Sequence, residues 1–411
     1  GLETDPSLAA GLVNFYGKCG KLDAALFILD KLPEGNLVAW TAMITSYAQH
    51  RQENEAFLLY EKIQSKGFSP NKVTFVCILS AVANAEALSE GRSVHAAVLN
   101  SEFYGDVMVM TALVNMYGKC SCEEDARKTF DEIQQPNVIS WNTMLSVYSQ
   151  CNSTLQLFEQ MQQKQILPNK VTFVIVLDAS ASIETLRKGS CIHSLAIQMG
   201  FDLDIDVQNA IINMYGKCGM LDAAHKVFDQ MREWDIISWN TIIRAFSQHG
   251  QSKMTLLLFE EMVGQKYPPD SVTCVSVLSS CGHDGLVVDG WNLFLSIRDE
   301  YGIIPIQEHY HCMIHMLAKA GLIEEAMEFI NTMPIQQTYV TWMALISTTY
   351  KDSPNMAGGE CAVRHMIELD EDNASTHVML SNMYASCTSA EQSWSLNLSE
   401  VDEIVYQTSY G

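Results

Sequence analysis

Apolar residues recur along the chain with the spacing of amphipathic helices, and the same short runs return at long intervals. In the segment 107–137, Leu113, Met116 and Tyr117 stand at i, i+3 and i+4, which places them on one face of a helix. A second apolar set, with Ala126 as its first member, falls on one side of a second helix. The pattern predicts pairs of short helices that bury their apolar faces only by stacking on neighbouring pairs.

Four tryptophans mark the period, because each begins a similar phrase of ten residues. The phrases "WTAMITSYAQ", "WNTMLSVYSQ", "WNTIIRAFSQ" and "WMALISTTYK" begin 101, 98 and 103 residues apart, at Trp40, Trp141, Trp239 and Trp342. Phrases such as "NKVTFVCILSAV" lie between them, so each interval holds three units of 31 to 36 residues. The aligned units are 6–36, 37–71, 72–106, 107–137, 138–169, 170–204, 205–235, 236–270, 271–306 and 307–338.

The phrase "NMYGKCG" recurs with small changes where a first helix of a short unit ends. Gly20, Gly219 and Gly321 suit the left-handed residue that terminates a helix, and the Lys two residues before Gly20 and Gly219 favours the end of the helix dipole. Asp23 and Asp222 suit the opening turn of the second helix. The copies of the cysteine lie about 100 residues apart and cannot meet in a stack of neighbours, so we predict a small buried hydrophobe.

Composition limits the classes of function. The 411 residues are 48% hydrophobic, and the formal net charge of −23 argues against a generic nucleic-acid coat, although not against a locally basic groove. The 12 cysteines are spread without a Cys-x-x-Cys pair, which argues against a disulfide framework. No apolar run approaches the roughly 18 residues that span a bilayer, so no membrane association is predicted.

No catalytic constellation is evident in the sequence. There is no Gly-x-Ser-x-Gly elbow and no glycine-rich phosphate loop. His311 and His315 stand at i, i+4 as in His-Glu-x-x-His enzymes, but the glutamate is missing and no third ligand follows. We therefore predict no enzyme activity, no metal and no cofactor.

The recurring phrases closely resemble the pentatricopeptide repeat family of plant organellar RNA-binding proteins. "NMYGKCG…DAAHKVFDQM" resembles its short repeats, "ISWNTII…FEEM" its standard repeats and "VTFVIVLDAS…GSCIHSLAIQMGF" its long repeats, the rotation of the PLS subfamily. "TWMALISTTYKD" resembles the start of that family's C-terminal extension (E-type) motif. The resemblance implies an all-α fold, a right-handed α-solenoid superhelix of stacked helix-turn-helix repeats. It divides the chain into a short repeat with a truncated start (1–36), nine tandem repeats (37–338), an extension-like helical repeat (339–386) and a divergent tail (387–411).

In that family, the fifth and last residues of short and standard units read one RNA base, and the second residue wedges against it. Thr with Asn favours A, Asn with Asn favours a pyrimidine, and Asn with Asp favours U. The resemblance implies five reading pairs: Thr41 and Asn71, Thr111 and Asn137, Asn142 and Asn169, Asn209 and Asp235, and Asn240 and Asp270. The implied wedges are Val38, Ile139 and Ile237. The expected footprint on single-stranded RNA is 5′-nAnAYnUUnn-3′.

Several alternatives remain at this stage. Thr and Asn near a first turn also serve as helix caps or solvated surface. The unit 138–169 lacks three residues near Cys151, which can displace its pair. Some units specify no base in this code. They include two long units, with Val76 and Asp106 and with Val174 and Asp204, and the last short unit, with His311 and Thr338.

The resemblance implies a specificity factor for C-to-U editing in a mitochondrion or plastid, with a deaminase supplied in trans. The sequence carries neither His-x-Glu nor Cys-x-x-Cys, the zinc spacings of such a deaminase, and after Ser386 it departs from the family pattern. We expect the natural N-terminus and a targeting segment to precede Gly1. The acidic balance also suits a helical-repeat scaffold that binds proteins. A scaffold predicts acidic residues at the second and fifth positions of the units. Most of these positions hold Val, Ile, Asn or Thr, and Asp206 is the exception. A non-functional relic is the third possibility.

Overall fold

The computed structural model describes residues 6–32, 36–148 and 152–352, together with residues 362, 365 and 366. The described residues contain 21 α-helices, numbered in chain order. The helices are α1 Pro6–Lys18, α2 Leu22–Asp30, α3 Leu37–Gln49, α4 Glu53–Ser65, α5 Lys72–Asn84, α6 Leu88–Leu99, α7 Val107–Lys119, α8 Glu123–Asp131, α9 Val138–Val147, α10 Asn152–Gln163, α11 Lys170–Ser182, α12 Leu186–Gln198, α13 Ile205–Lys217, α14 Leu221–Asp229, α15 Ile236–Gln248, α16 Ser252–Gly264, α17 Ser271–Asp284, α18 Val287–Asp299, α19 Gln307–Lys319, α20 Ile323–Thr332 and α21 Tyr339–Asp352.

The odd-numbered helices are first helices of the units, and their start sites follow from local chemistry. From α3 to α17, each first helix follows an Asn or Asp whose side chain accepts a hydrogen bond from a backbone N–H of the first turn. This residue is the last of the preceding aligned unit. The capping residues are Asn36, Asn71, Asp106, Asn137, Asn169, Asp204, Asp235 and Asp270.

The turn between first and second helices also follows the sequence signals. Gly20, Gly219 and Gly321 adopt φ of 72°, 72° and 80°, which confirms the predicted left-handed stop. Asp23 and Asp222 lie in the first turns of α2 and α14, as predicted. The chain therefore reverses at the same point in each of these short units.

The described residues fall into two compact units, divided between Glu233 and Trp234. Within each unit, consecutive first helices pack side by side, for example α5 on α7 and α15 on α17. Each second helix packs on its own first helix, and where the next first helix belongs to the same compact unit it packs on that one too, as α6 does on α5 and α7. This is the stacking of an α-solenoid, so the predicted all-α solenoid is confirmed.

The fourth residue of four first helices is a tryptophan that lies in the core. Trp40, Trp141, Trp239 and Trp342 occupy this position and are 0 to 7% exposed. The ring of Trp141 lies 4.9 Å from that of Phe130 in α8, in an edge-to-face arrangement. The tryptophan spacing that marks the sequence is thus the spacing of a buried packing site.

The prediction of a buried cysteine in the "YGKC" phrase is wrong. Cys19 is exposed, and Cys120 and Cys218 are half-buried. Cys120 and Cys218 follow the last Lys of α7 and α13 as C-cap residues, so they lie at the edge where the chain leaves the first helix. Burial still raises the pKa of the Cys120 and Cys218 thiols.

The three residues missing from the unit 138–169 shorten one end of its first helix. Helix α9 has 10 residues, whereas α3, α7 and α15 each have 13. The loss falls at the C-terminal end of α9, so its first turn is retained. The tail predicted at 387–411 lies outside the described residues, and of the extension predicted at 339–386 only α21 and three later residues are described.

Candidate nucleic-acid interface

The second residue of most first helices is a large apolar side chain that remains exposed. Val38, Ile139 and Ile237, the three predicted wedges, are 67%, 63% and 61% exposed. Other apolar side chains of this chain are equally exposed, for example Val288 at 72%, so what distinguishes the three is that they occupy the same position of their units.

The same position is apolar and exposed in units that were given no wedge. Val73, Met108, Val171 and Val272 are 47 to 57% exposed. Sequence reasoning missed Val73, Val171 and Val272 because their units have no reading pair, and it missed Met108 because it looked for Val or Ile; counting to the second residue of every unit would have found all four. The exceptions include Glu308 as well as Asp206, both of them exposed.

The pair Asn142 and Asn169 is brought together despite the short unit. The amide Nδ2 of Asn142 donates to Oδ1 of Asn169 at 3.0 Å. The Thr172 hydroxyl donates to Oδ1 of Asn142 at 2.7 Å. The possibility that the three-residue loss displaces this pair is therefore excluded, because the loss lies at the other end of α9.

The pair Asn240 and Asp270 has the same geometry in the second compact unit. Nδ2 of Asn240 donates to Oδ2 of Asp270 at 2.9 Å. Oδ1 of Asp270 accepts from the backbone N–H of Thr273 at 2.9 Å and so caps α17. The fifth and last residues of this unit form one hydrogen-bonded group.

The two threonine pairs are joined through a hydroxyl of the next unit. The Thr41 and Thr74 hydroxyls lie 2.8 Å apart, and the Thr74 hydroxyl donates to Oδ1 of Asn71 at 3.0 Å. The Thr111 hydroxyl lies 2.8 Å from that of Ser140, which donates to Oδ1 of Asn137 at 3.3 Å. Thr41 and Asn71, and likewise Thr111 and Asn137, are thus linked indirectly.

Asn209 and Asp235 belong to different compact units. Asn209 lies in α13 and is 7% exposed. Asp235 caps α15, where its Oδ1 accepts from the backbone N–H of Ser238 at 2.7 Å and from the Ser238 hydroxyl at 2.8 Å.

The interpretation of these polar residues as helix caps applies to half of them. The last residue of each of the five pairs caps the following helix, which agrees with the alternative that Asn and similar residues near a first turn serve as helix caps. A capping Asn or Asp uses one oxygen for the helix and retains a second polar atom. The fifth residues lie inside their helices and are half-buried or buried, so they are neither caps nor solvated surface. A cap role and a role in reading a base are therefore compatible.

The long units that gave no reading have an ion pair where the others have a polar pair. Nζ of Lys72 lies 2.8 Å from Oδ2 of Asp106. Nζ of Lys170 lies 3.7 Å from Oδ2 of Asp204 and closer, at 2.8 Å, to Oδ2 of Asp206. Burial raises the pKa of the Asp106 carboxyl, but the hydrogen bonds from Lys72 and the backbone outweigh it and hold that pKa below its usual range. The lysines are the first residues of their units, and sequence reasoning missed these contacts.

The histidines that suggested a metal are engaged in other contacts. Nε2 of His311 lies 3.2 Å from the Thr341 hydroxyl, and the ring of His315 lies 6.2 Å from that of His283. Among the described residues, no group of three or more His, Cys, Asp or Glu side chains is placed to hold a metal ion. A search of residues 6–32, 36–148 and 152–352 for a membrane-spanning helix finds none of the required length and hydrophobicity.

Comparisons with known proteins identify the family. The profile described as "PPR repeat family" matches residues 35–84, 136–182 and 235–283, and the profile described as "PPR repeat" matches 109–138, 209–236 and 308–335. A mitochondrial pentatricopeptide repeat-containing protein of Arabidopsis thaliana is 34% identical over 94% of this chain and 70% of its own length. The chain belongs to the pentatricopeptide repeat family.

Other curated relatives are longer than this chain. The chloroplastic pentatricopeptide repeat-containing protein CRR2 of Arabidopsis thaliana is 32% identical over 94% of this chain and 60% of its own length. Another pentatricopeptide repeat-containing protein of that plant is 36% identical over 92% of this chain. Of that second relative's length, the chain spans about half, 52%.

Solved structures of this family share the fold. The crystal structure of the pentatricopeptide repeat protein PPR10 in complex with an 18-nt psaJ RNA element matches with a TM-score of 0.77 at 17% identity, over 92% of this chain and 58% of PPR10. A structure of PPR10 from maize matches with a TM-score of 0.63 at 16% identity, over 93% of this chain and 62% of PPR10. This likeness concerns the fold.

Proposed function

We propose that this protein binds single-stranded RNA in a mitochondrion or plastid and reads its sequence through the five polar pairs. The proposal extends to this chain what PPR10 does in its complex with RNA. The mitochondrial and chloroplastic relatives support the organellar location. The footprint is 5′-nAnAYnUUnn-3′, with the N-terminal unit at the 5′ end.

One observation carries the proposal: an exposed apolar side chain lies three residues before a polar side chain that is hydrogen-bonded to the cap of the next first helix. Single-stranded bases offer a face for apolar contact and an edge for hydrogen bonding. Ile237 is 61% exposed, and three residues further along the same helix the amide of Asn240 is held against Asp270. A base that rests on Ile237 can present its Watson–Crick edge to this pair.

The charge of −23 limits how the RNA is held. Binding by neutralisation of phosphates requires lysine and arginine, and its affinity falls steeply with salt. Apolar contact and hydrogen bonds to base edges do not depend on a positive surface. We therefore expect a shallow salt dependence and a large share of the affinity in the base contacts.

The alternative is a helical-repeat scaffold that binds a protein. It is favoured by the net charge and by acidic residues at second positions, Asp206 and Glu308. The apolar side chains at the other second positions favour RNA instead. A scaffold would bind without regard to base identity at the footprint positions.

The finer role we propose is that of a specificity factor for C-to-U editing, with a cytidine deaminase supplied in trans. The rotation of short, standard and long units supports a PLS-type array, and residues from Trp342 onward support an E-type extension. The edited cytidine would lie a few nucleotides 3′ of the footprint. Failure to stimulate a deaminase on such an RNA would remove the editing role and leave RNA binding intact.

Fluorescence anisotropy with two labelled RNAs tests the binding proposal. One RNA carries the footprint, and the other has its A and U positions replaced by G, each measured across a salt series. We expect at least about 10-fold preference for the first, or about 1.4 kcal/mol. Absence of binding to both by a folded protein would contradict the proposal and favour the scaffold.

A further inference from the structure

A buried hydroxyl contacts the fifth residue of a unit wherever that residue is polar and both residues lie in one compact unit. The hydroxyl belongs to the third residue of the next unit. The two residues of each contact lie 29 to 33 residues apart in the chain, so the contact joins neighbouring repeats. The five pairs and their distances are Thr41 and Thr74 (2.8 Å), Thr111 and Ser140 (2.8 Å), Asn142 and Thr172 (2.7 Å), Asn240 and Thr273 (2.5 Å), and His311 and Thr341 (3.2 Å).

The hydroxyl is directed toward the reading side chain by its other partners. The backbone N–H of Asp270 donates to the Thr273 oxygen at 3.2 Å, which occupies a lone pair. The hydroxyl proton has two acceptors, Oδ1 of Asn240 at 2.5 Å and Oδ1 of Asp270 at 3.0 Å, and the contact with Asn240 is the shorter. Thr273 is 0% exposed, so bulk water does not compete for this proton. The same three contacts recur around Thr172.

This arrangement fixes which way the amide of Asn240 points. Its Oδ1 faces the Thr273 hydroxyl, and its Nδ2 faces the Asp270 carboxylate. Rotation of the amide by 180° would place its oxygen against the carboxylate and lose both hydrogen bonds. The hydroxyl and the carboxylate together therefore hold one orientation of the amide.

Helix capping alone does not explain the hydroxyl. Asp106 and Asp204 cap the first turns of α7 and α13. The third residues of these two helices are nevertheless Val109 and Val207. The fifth residues that precede these two are Val76 and Val174.

A unit has a polar third residue when the fifth residue of the preceding unit is polar, and an apolar one when that residue is apolar. Apolar Ala10 is paired in this way with apolar Ala39 of the next unit, and polar Asn209 with polar Ser238. The one departure is Val275 followed by His309, and Nε2 of His309 lies 3.2 Å from the backbone oxygen of Ser271 instead.

We infer that the third-position hydroxyl is a positioning residue for base reading: it orients the fifth residue of the preceding unit and so sets which polar atoms the base meets. This rests on the proposed function, because a base must contact that fifth residue. The residue itself is buried and touches no RNA. The specificity of one unit is thus shared with the unit that follows it.

Thr273→Val tests the inference, since it keeps the shape of the side chain and removes the hydroxyl. The eighth base of the footprint is assigned to the unit 236–270, so the probes are the footprint RNA with U or with A at that base. We expect the preference for U to fall roughly 3- to 10-fold, the size of one lost hydrogen bond. Thr273→Ser should restore it. The matched control is Thr255→Val, because Thr255 is also 0% exposed and its hydroxyl donates to the backbone oxygen of Gln251, the residue before α16.

The readout separates orientation from general stability. The preference for U at the seventh base should stay within about twofold in Thr273→Val, and thermal unfolding followed by circular dichroism checks that each variant is folded. Equal weakening on every RNA, or an unchanged preference at the eighth base, would overturn the inference. If Thr273→Val does not fold, Thr172→Val gives the same test at the fifth base. A wild-type protein without any preference would refute the proposed function itself.

Discussion

Replacing Ile237 by Ala should weaken RNA binding by a similar factor for every base at the eighth position. The change removes three methyl or methylene groups, each worth about 0.8 kcal/mol when it is buried. Since 61% of Ile237 is exposed in the protein alone, a base that covers it fully would gain about 1.5 kcal/mol from these groups. The expected loss is therefore up to about 12-fold in Kd.

The assay is fluorescence anisotropy with four RNAs that differ only at the eighth base. Leu257→Ala is the matched control, because Leu257 is 49% exposed in the same unit but lies on the second helix α16. Both variants should unfold close to the wild type, since exposed side chains contribute little to folding. A loss below about twofold, a loss limited to one base, or an equal loss in Leu257→Ala would refute the role of Ile237 as a wedge.

Three further predictions concern specificity, pH and packing. Asn240→Thr combined with Asp270→Asn should move the preferred eighth base from U to A in competition binding, and an unchanged preference would contradict the reading code. Burial lowers the pKa of His95, so the unfolded chain takes up the proton first, and the free energy of unfolding should fall as the pH drops below about 6.5. In urea unfolding, His95→Gln should show a shallower fall with pH than the wild type. An identical fall in the two proteins would contradict this role of His95. A Cβ on Gly189 would lie 2.4 Å from Sδ of Met214, so Gly189→Ala should lower the free energy of unfolding by about 1–3 kcal/mol. The double variant with Met214→Ala should lose less than the sum of the two single variants. Additive losses in urea unfolding would exclude this contact as the cause.

The helices and their start sites could be predicted from sequence because their signals are local. The capping residues, such as Asn71 and Asp270, and the left-handed Gly219 act within a few residues of where they stand. The tryptophan period located the buried fourth position, for example Trp239 at 0% exposure. The repeats made these local signals easier to identify, because each phrase could be compared with its copies.

The parts that sequence reasoning missed depend on contacts between units. The Thr273 hydroxyl contacts Asn240, and Lys72 contacts Asp106, across 33 and 34 residues. The exposure of Cys19 likewise depends on where the chain leaves a helix at the edge of the stack. A pattern within one unit contains no information on which side chain of the next unit faces it.

The role of the three missing residues in 138–169 was also beyond local reasoning. A deletion in a helical unit can shift everything that follows, or it can be absorbed at one end. Here α9 ends at Val147 and Asn142 keeps its contact with Asn169 at 3.0 Å. The result depends on the neighbouring helices, which hold the first turn of α9 in place.

Selection from a pool of random RNA tests the central claim most directly, because it presumes no target. The folded protein would be incubated with random single-stranded RNA, and the bound fraction sequenced over successive salt concentrations. The account predicts enrichment of A at positions two and four, a pyrimidine at five, and U at seven and eight in one register. A bound pool with no enrichment, or with a motif unrelated to this order, would contradict it.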